Sequence, residues 1–195
     1  MEILLKYYLK RQTMLRPLFM RVDLGMPAYR NIKGCTTQTQ ASCFKTLARP
    51  VLEYASPIWD PATEEHTATL EMVQRRAARR IYHDFSHTSS ASCMVAKLKL
   101  EPLQARRKSS KVTMMYRIMN DLVDITAPRG LLAPAGRSTR GHDAKLLVPF
   151  ARTDVYKHSF FPSAIRLWNS LPTKSVAACS LQAFSDSLEG WAPKL

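Results

Sequence analysis

The sequence is poor in glycine, and this shortage excludes several classes of enzyme. Its six glycines in 195 residues form neither the G-x-x-x-x-G-K loop that cradles phosphates nor the G-x-G-x-x-G turn of dinucleotide-binding folds. No G-x-S-x-G turn, which would indicate a serine hydrolase of the α/β type, is present. The sequence therefore disfavours nucleotide-cofactor and hydrolase chemistry, and we predict no cofactor.

Cysteine is also scarce, and long uninterrupted hydrophobic runs are missing. The four cysteines lie far apart, at Cys35, Cys43, Cys93 and Cys179, so we expect reduced thiols in an intracellular protein, nuclear or cytoplasmic. The spacing of His83, His87 and Cys93 does not fit a zinc finger, and we predict no metal site. Basic residues interrupt the apolar first 22 residues too often for a secretory signal or a membrane span, although a mitochondrial presequence stays open.

Acidic residues are few, and the charge is strongly positive. The chain has 29 Lys and Arg against 15 Asp and Glu, a formal charge of +14 and a sequence pI of about 10.0. A hydrophobic fraction of 46% is ordinary for a folded protein with a real core. The charge favours polyanionic partners, nucleic acid first and an anionic membrane second.

The hydrophobic spacing predicts a mainly α protein. "TQTQASCFKTLARPVLEYASPIW" is helical, with a kink or a new helix at Pro50. Asp60 and Pro61 are predicted to start the next helix, which ends near residues 82–85. Ser89 or Ser90 should cap a short helix, and Pro102 should open a longer one.

Composition changes at Pro128, and the rest of the chain is predicted to be less regular. Glycines and prolines in residues 128–150 indicate a loop followed by a short strand, "KLLVPF". The tail predicts one short helix before Pro172 and another capped by Ser180. We expect Trp59 and Trp168 to be core anchors, with stacking on unpaired bases as the alternative.

Three basic groups are candidate phosphate contacts. In "LEMVQRRAARRIYHDF" the helical period puts four arginines opposite an apolar stripe of Leu70, Val73, Ala77 and Ile81; the arginines are Arg75, Arg76, Arg79 and Arg80. The longer helix carries a second cluster, Arg106, Arg107, Lys108 and Lys111. Arg140 and His142 in "TRGHDAK" form the third group, for which an exposed loop histidine without a role is the alternative. Most charge runs are solvated helix faces, and that interpretation stays open for the arginine run.

Five segments occur in an order that resembles a known family: "CFKTLARPVLEYASPIWDP", "LEMVQRRAARRI", "MMYRIMNDLVDI", "TRGH" and "YKHSFFPSAIRLWNSLP". They are similar to the region downstream of the polymerase palm in non-LTR (LINE-type, jockey-like) retrotransposon reverse transcriptases, which are RNA-directed DNA polymerases. The resemblance runs from about residue 31 to residue 188. It implies that the helical bundle of residues 31–125 is thumb-like. Composition and hydrophobic pattern predict a loop and short strand in 126–150 and a small helical C-terminal subdomain in 151–195. Residues 1–30 lie outside the resemblance.

The resemblance implies a role in gripping a template–primer duplex through its backbone. The arginines of "QRRAARR" then become phosphate contacts, with RNA or an RNA/DNA duplex as partner, the palm and fingers of a reverse transcriptase as further partners, and self-association through an uncovered apolar face. The two-metal chemistry of the family needs paired carboxylates, typically an adjacent Asp-Asp. This chain has no such pair, and Asp121 and Asp124, its nearest approach, are interpreted as solvated helix-end residues.

The sequence thus predicts a catalytically incomplete fragment of a reverse transcriptase that binds nucleic-acid backbone with little sequence specificity. The alternative is a non-catalytic helical interaction domain or structural remnant whose positive charge is incidental. A basic mitochondrial or membrane-surface protein is the third class.

Overall fold

The computed structural model describes residues 32, 34–125, 131–135 and 142–191. Within these ranges the protein is mainly α-helical, as predicted. The described part of the chain forms two compact units, one that ends at Gln104 and one that begins at Ala105. The division falls near the start of the helix Leu103–Met119. The predicted N-terminal segment 1–30 and Arg140 lie outside the described residues.

Five helices and one π-helical turn make up the described N-terminal unit, and a sixth helix begins at its end. They are α1 (Thr37–Cys43), the π-helical turn (Phe44–Ala48), α2 (Arg49–Glu53), α3 (Ser56–Trp59), α4 (Glu64–Ile81), α5 (Ala91–Lys97) and α6 (Leu103–Met119). The predicted cap of α5 is confirmed, since the Ser90 side chain accepts a hydrogen bond from the Cys93 N–H at 3.4 Å. The helix predicted after Pro102 is likewise present.

The π-helical turn shows how the chain accommodates Pro50. Proline has no N–H and its ring crowds the preceding turn, so it disrupts a regular helix interior. Here the Arg49 N–H donates to the Phe44 carbonyl, the wider bonding pattern of a π-helix. Pro50 then lies in the first turn of α2. Of the two predicted alternatives, a kink or a new helix, the structure has a new helix, and it begins at Arg49, directly before the proline.

The start of α4 differs from the prediction. Thr63, rather than Asp60, is the N-cap, and its hydroxyl oxygen accepts a hydrogen bond from the His66 N–H at 3.4 Å. Asp60 instead closes α3, because its N–H donates to the Ser56 carbonyl at 3.0 Å. The residue predicted to begin α4 is therefore the C-cap of α3, a short helix that the sequence pattern did not distinguish from its neighbours.

The apolar stripe predicted for α4 forms the core of the N-terminal unit. Its first half packs with residues of α2, α3 and α6 in a cluster of Leu52, Trp59, Leu70, Val73 and Leu103. Its second half packs with α1 and α5 in a cluster of Ala41, Phe44, Ala77, Ala78, Ile81, Met94, Leu98 and Leu100. Trp59 is 4% exposed, which agrees with its predicted role as a core anchor.

The C-terminal unit is built around stacked aromatic rings. Its helices are the remainder of α6 followed by α7 (Asp154–Lys157), α8 (Phe160–Asn169), α9 (Thr173–Val176) and α10 (Leu181–Ser187). The Phe184 ring stacks on Tyr116 with centroids 4.4 Å apart and on Trp168 at 6.0 Å. Trp168 donates from its indole N–H to the Ala144 carbonyl at 2.9 Å, so it is a core anchor. The predicted helix before Pro172 and the Ser180 cap of α10 are both present.

The strand predicted in "KLLVPF" is not formed. One isolated antiparallel bridge joins Pro134 to Leu146, through hydrogen bonds from Ala135 to Lys145 and from Leu147 to Ala133. The Asn169 side chain bonds both the N–H and the carbonyl of Leu146 at 2.9 and 2.8 Å. A side chain of α8 thus occupies the backbone groups that a neighbouring strand would need.

Three consecutive connections begin with the same helix-ending motif, built without glycine. His83, Lys99 and Asp121 have φ values of 52°, 50° and 51° directly after the caps of α4, α5 and α6. In each, two backbone hydrogen bonds close the helix end, such as Lys99 to Ala96 at 2.9 Å and Leu100 to Val95 at 3.1 Å. This is the Schellman pattern, which ordinarily favours glycine at the left-handed position.

Candidate nucleic-acid interface

Three of the four predicted arginines of α4 form an exposed basic face. Arg75, Arg76 and Arg80 are exposed, and we call these three residues the arginine face. Arg76 and Arg80 are one turn apart, about 6 Å along the helix axis. Residues 72–83 contain no acidic side chain. Glu71, one turn before Arg75, accepts a hydrogen bond from the Gln104 N–H at 2.9 Å.

Arg79 has a different environment from the arginine face. Its guanidinium donates from Nη1 to the Ser86 carbonyl at 2.9 Å and from Nη2 to the Ser89 carbonyl at 3.0 Å. Both carbonyls belong to the connection between α4 and α5. Arg79 therefore holds this connection against the helix end, and the prediction that it contacts phosphate competes with these two hydrogen bonds.

The connection held by Arg79 contains its own polar network. The Asp84 carboxylate accepts a hydrogen bond from the Ser86 N–H at 3.0 Å, and the Ser86 and Thr88 hydroxyl oxygens lie 2.8 Å apart. Hydrogen bonds from the Ser89 side chain and the Ser86 backbone, with a smaller contribution from the charge of Arg79, lower the pKa of Asp84 below its ordinary value of 3.8. The carboxylate is thus ionised at neutral pH, and its hydrogen bonds stabilise the connection between α4 and α5.

The arginine face lies in a part of the chain whose charges are otherwise nearly balanced. Residues 34–104 contain eight Lys and Arg against seven Asp and Glu, whereas residues 105–195 contain fourteen against six. Within α4 the acids Glu64 and Glu65 lie in the first turn, and Arg79 and Arg80 lie in the last turn. This order complements the helix dipole, and it concentrates positive charge in the second half of the helix.

The second basic cluster is only partly at the surface. Arg107 and Lys111 are buried, at 1% and 4% exposure, while Arg106 and Lys108 are half-buried. The reason lies in helical spacing, because residues four apart share a helix face and Arg107 and Lys111 lie in one row with buried Leu103 and Met115. As folded, Arg107 and Lys111 do not reach a surface where phosphate could bind, which corrects the prediction for these two residues.

His142, the histidine of the third predicted group, is also buried, at 2% exposure. Its Nε2 lies 3.0 Å from the Trp168 carbonyl oxygen, and since a carbonyl only accepts, Nε2 carries the proton. The imidazole ring packs edge-on against the Trp168 indole at 6.3 Å. The predicted nucleic-acid contact is corrected to a core position in the C-terminal unit.

Acidic residues do not assemble into a metal site in the described residues. Asp121 takes the left-handed position that ends α6, and both Asp121 and Asp124 are exposed. No group of three or more His, Cys, Asp or Glu side chains in the described ranges is arranged to hold a metal ion. None of the described helices is both long enough and apolar enough to cross a membrane.

Phe85 is a surface residue that the sequence pattern did not single out. Its side chain is 64% exposed, and it follows the last arginine of α4 by five residues. The sequence could have indicated Phe85, because an aromatic residue shortly after the basic end of a helix is visible in the sequence alone. Phe85 and the arginine face lie in the same unit, and no acidic side chain other than Asp84 lies between residues 72 and 85.

Comparison of the chain with protein-family models, with curated proteins and with solved structures finds no match.

Proposed function

We propose that the protein binds nucleic-acid backbone, with little sequence specificity, through the arginine face. In this proposal the chain is a catalytically incomplete part of a reverse transcriptase of the non-LTR type, and the arginine face contributes to gripping the template–primer duplex. The observation that carries the proposal is the exposure of three guanidinium groups on one helix whose opposite stripe is buried, without an acidic neighbour from residue 72 to residue 83.

The chemistry of these side chains suits phosphate. A guanidinium stays charged at all physiological pH values and presents a planar fork of N–H donors that matches phosphate oxygens. Contacts of this kind hold a duplex without reading its bases. Leu70, Ala77 and Ile81 anchor the opposite side of α4, at 2% exposure or less, so the arginines project from a helix that is held in place.

In this proposal three arginines of α4, rather than four, contact phosphate. Each phosphate contact releases condensed counterions, and the logarithm of the affinity falls with the logarithm of the salt concentration by about 0.9 per contact on B-DNA. Arg75, Arg76 and Arg80 together would then account for a slope of up to about 2.7. Arg79 is left out of this count because the Ser86 and Ser89 carbonyls, which accept hydrogen bonds from Nη1 and Nη2, compete with phosphate for its guanidinium.

The proposal assigns no chemistry to this chain by itself. Two-metal nucleotidyl transfer requires closely spaced carboxylates, and the sequence has no adjacent pair of aspartates. The palm and fingers of a polymerase would supply that site, and RNA or an RNA/DNA hybrid would be the natural duplex. Self-association through apolar surface that a palm would cover belongs to the same proposal.

The test is fluorescence anisotropy with a labelled B-DNA duplex across a salt series. A variant with Arg75→Ala, Arg76→Ala and Arg80→Ala should lose about two to three units of slope and weaken all sequences alike. The matched control removes three exposed cations of the C-terminal unit, with Arg152→Ala, Lys157→Ala and Lys174→Ala. Circular dichroism verifies that both variants keep their helices, since alanine is a good helix former.

Two results would contradict the proposal. If the salt slope decreased equally in both triple variants, binding would depend on net charge and not on the arginine face. An affinity for duplex that does not depend on salt, or no binding at all, would favour the alternative, a helical interaction or structural remnant with incidental charge. RNA and RNA/DNA duplexes, measured in the same series, determine which duplex is preferred.

A further inference from the structure

Phe85 combines an exposed aromatic ring with a fixed backbone. Its side chain is 64% exposed, whereas its neighbours in the chain are bonded to the end of α4. The Asp84 N–H donates to the Arg79 carbonyl at 3.0 Å, and the Ser86 carbonyl accepts from Arg79 Nη1 at 2.9 Å. The residues on both sides of Phe85 are therefore tied to the same arginine.

The bond from the Ser86 N–H to the Asp84 carboxylate at 3.0 Å closes a short turn around Phe85. An aromatic side chain on such a turn loses little further backbone freedom when a ligand stacks on it, because the backbone is already ordered. Burial of its ring would ordinarily stabilise a phenylalanine. This turn instead holds the ring toward solvent.

We infer that Phe85, five residues after the last arginine of the arginine face, is a stacking platform for an unpaired nucleobase. The preferred ligand is then a junction between duplex and single strand, rather than a continuous duplex. This inference rests on the proposed function, and it specifies the class of nucleic acid that the site would take.

A nucleic-acid strand presents both kinds of group that this surface accommodates. Every base has an aromatic face that stacks on a phenyl ring without regard to sequence, and every base is linked to a phosphate. Phe85 follows Arg80 by five residues, and the stretch from residue 72 to residue 83 carries four arginines and no acid. In this inference, Phe85 stacks on the unpaired base and the arginine face binds phosphates of the same nucleic acid.

The experiment compares three probes that share one duplex. The first is blunt, the second carries a short single-stranded overhang, and the third carries an abasic overhang with the same phosphates but without bases. We expect the wild-type chain to bind the base-bearing overhang about 5-fold or more tightly than the abasic one, the size expected for one aromatic–base stack.

Two variants locate the effect. Phe85→Ala should remove the preference for the base-bearing overhang and leave the affinity and salt slope for the blunt duplex unchanged. Phe150→Ala is the matched control, because Phe150 is 87% exposed and lies in the C-terminal unit. That variant should keep the full preference, and thermal unfolding should show that both variants are folded.

The outcomes separate this inference from the function on which it rests. Equal affinity of wild type for the base-bearing and abasic overhangs, with an intact arginine-dependent salt slope, overturns the stacking platform alone. A preference that survives Phe85→Ala, or that disappears in Phe150→Ala, places the base contact elsewhere and overturns it too. If wild type and the triple variant of the arginine face showed the same salt slope on the blunt duplex, the proposed function itself would be overturned.

Discussion

Arg79 donates to the Ser89 carbonyl at 3.0 Å, ten residues further along the chain. Together with the bond to Ser86, this contact separates one arginine of "QRRAARR" from the other three. Arg79 stabilises the connection from α4 to α5, while Arg75, Arg76 and Arg80 remain exposed. Substitutions at these positions should therefore affect different properties of the protein.

Arg79→Ala should lower the free energy of unfolding by about 1–2 kcal/mol, because two charge-assisted hydrogen bonds to backbone carbonyls are lost. Arg75→Ala is the matched control, and we expect it to change stability by less than about 0.5 kcal/mol, as for an ordinary surface position. Urea unfolding followed by circular dichroism measures both. Equal stability of the two variants would show that the bonds to Ser86 and Ser89 contribute nothing.

The Asp84 carboxylate should make the loop sensitive to acid. Its pKa is lowered in the folded protein from the ordinary 3.8, so the folded state binds fewer protons there than the unfolded state. The stabilisation is therefore fully present above 3.8 and is lost as the pH falls through the lowered pKa.

An NMR titration of the Asp84 side-chain carboxyl carbon tests this direction. The midpoint should lie below 3.8 in the wild-type chain and return toward that value in Ser89→Ala, which removes the largest cause of the shift. A wild-type midpoint above 3.8 would be incompatible with the hydrogen bonds described for this loop.

Lys99→Gly should stabilise the protein by about 0.5–1 kcal/mol, because glycine adopts the left-handed conformation at this helix end without the steric cost that a side chain carries. Lys99 has φ 50° and is exposed, so little packing is lost. Lys97→Gly provides the contrast, since Lys97 is the last residue of α5 and glycine within a helix destabilises by up to about 1 kcal/mol. Opposite signs for the two substitutions are expected in thermal unfolding, and equal signs would contradict the Schellman assignment.

His142→Ala should reduce stability by about 2 kcal/mol and leave duplex binding unchanged. The substitution removes a buried ring and its hydrogen bond to the Trp168 carbonyl, both of which support the C-terminal core. Arg80→Ala should show the reverse, with weaker duplex binding and little change in stability. A loss of duplex affinity in a folded His142→Ala variant would restore the sequence-based prediction of a nucleic-acid contact.

The helices and the apolar stripe of α4 could be predicted because they depend on local spacing. Leu70, Val73, Ala77 and Ile81 recur with the helical period, and all four are buried. Capping chemistry is similarly local, which is why the caps Ser90 and Ser180 were predictable. Asp60 was misassigned because two helices, α3 and α4, compete for the same short segment, and the pattern does not decide between them.

The roles of individual polar residues depended on tertiary structure. Helical period shows which side chains share a face, but not which segment of the chain returns to cover that face. Arg107 and Lys111 were predicted to contact phosphate as members of a basic cluster, although they share a row with buried Leu103 and Met115. Charged and apolar residues alternate along α6, so its sequence does not show which face of the helix is buried. The packing of the folded protein decides this.

By itself the sequence determined a mainly helical chain, the buried stripe of α4 and the basic surface opposite that stripe, because each follows from residues within a few turns of one another. Only the tertiary structure decided that Arg79 serves the loop, that His142 lies in the core and that "KLLVPF" makes a single bridge instead of a strand. Each of these depends on a hydrogen-bond partner between 7 and 26 residues away. Folding brings such partners together, and the local periodicity of the sequence does not show which residues they are.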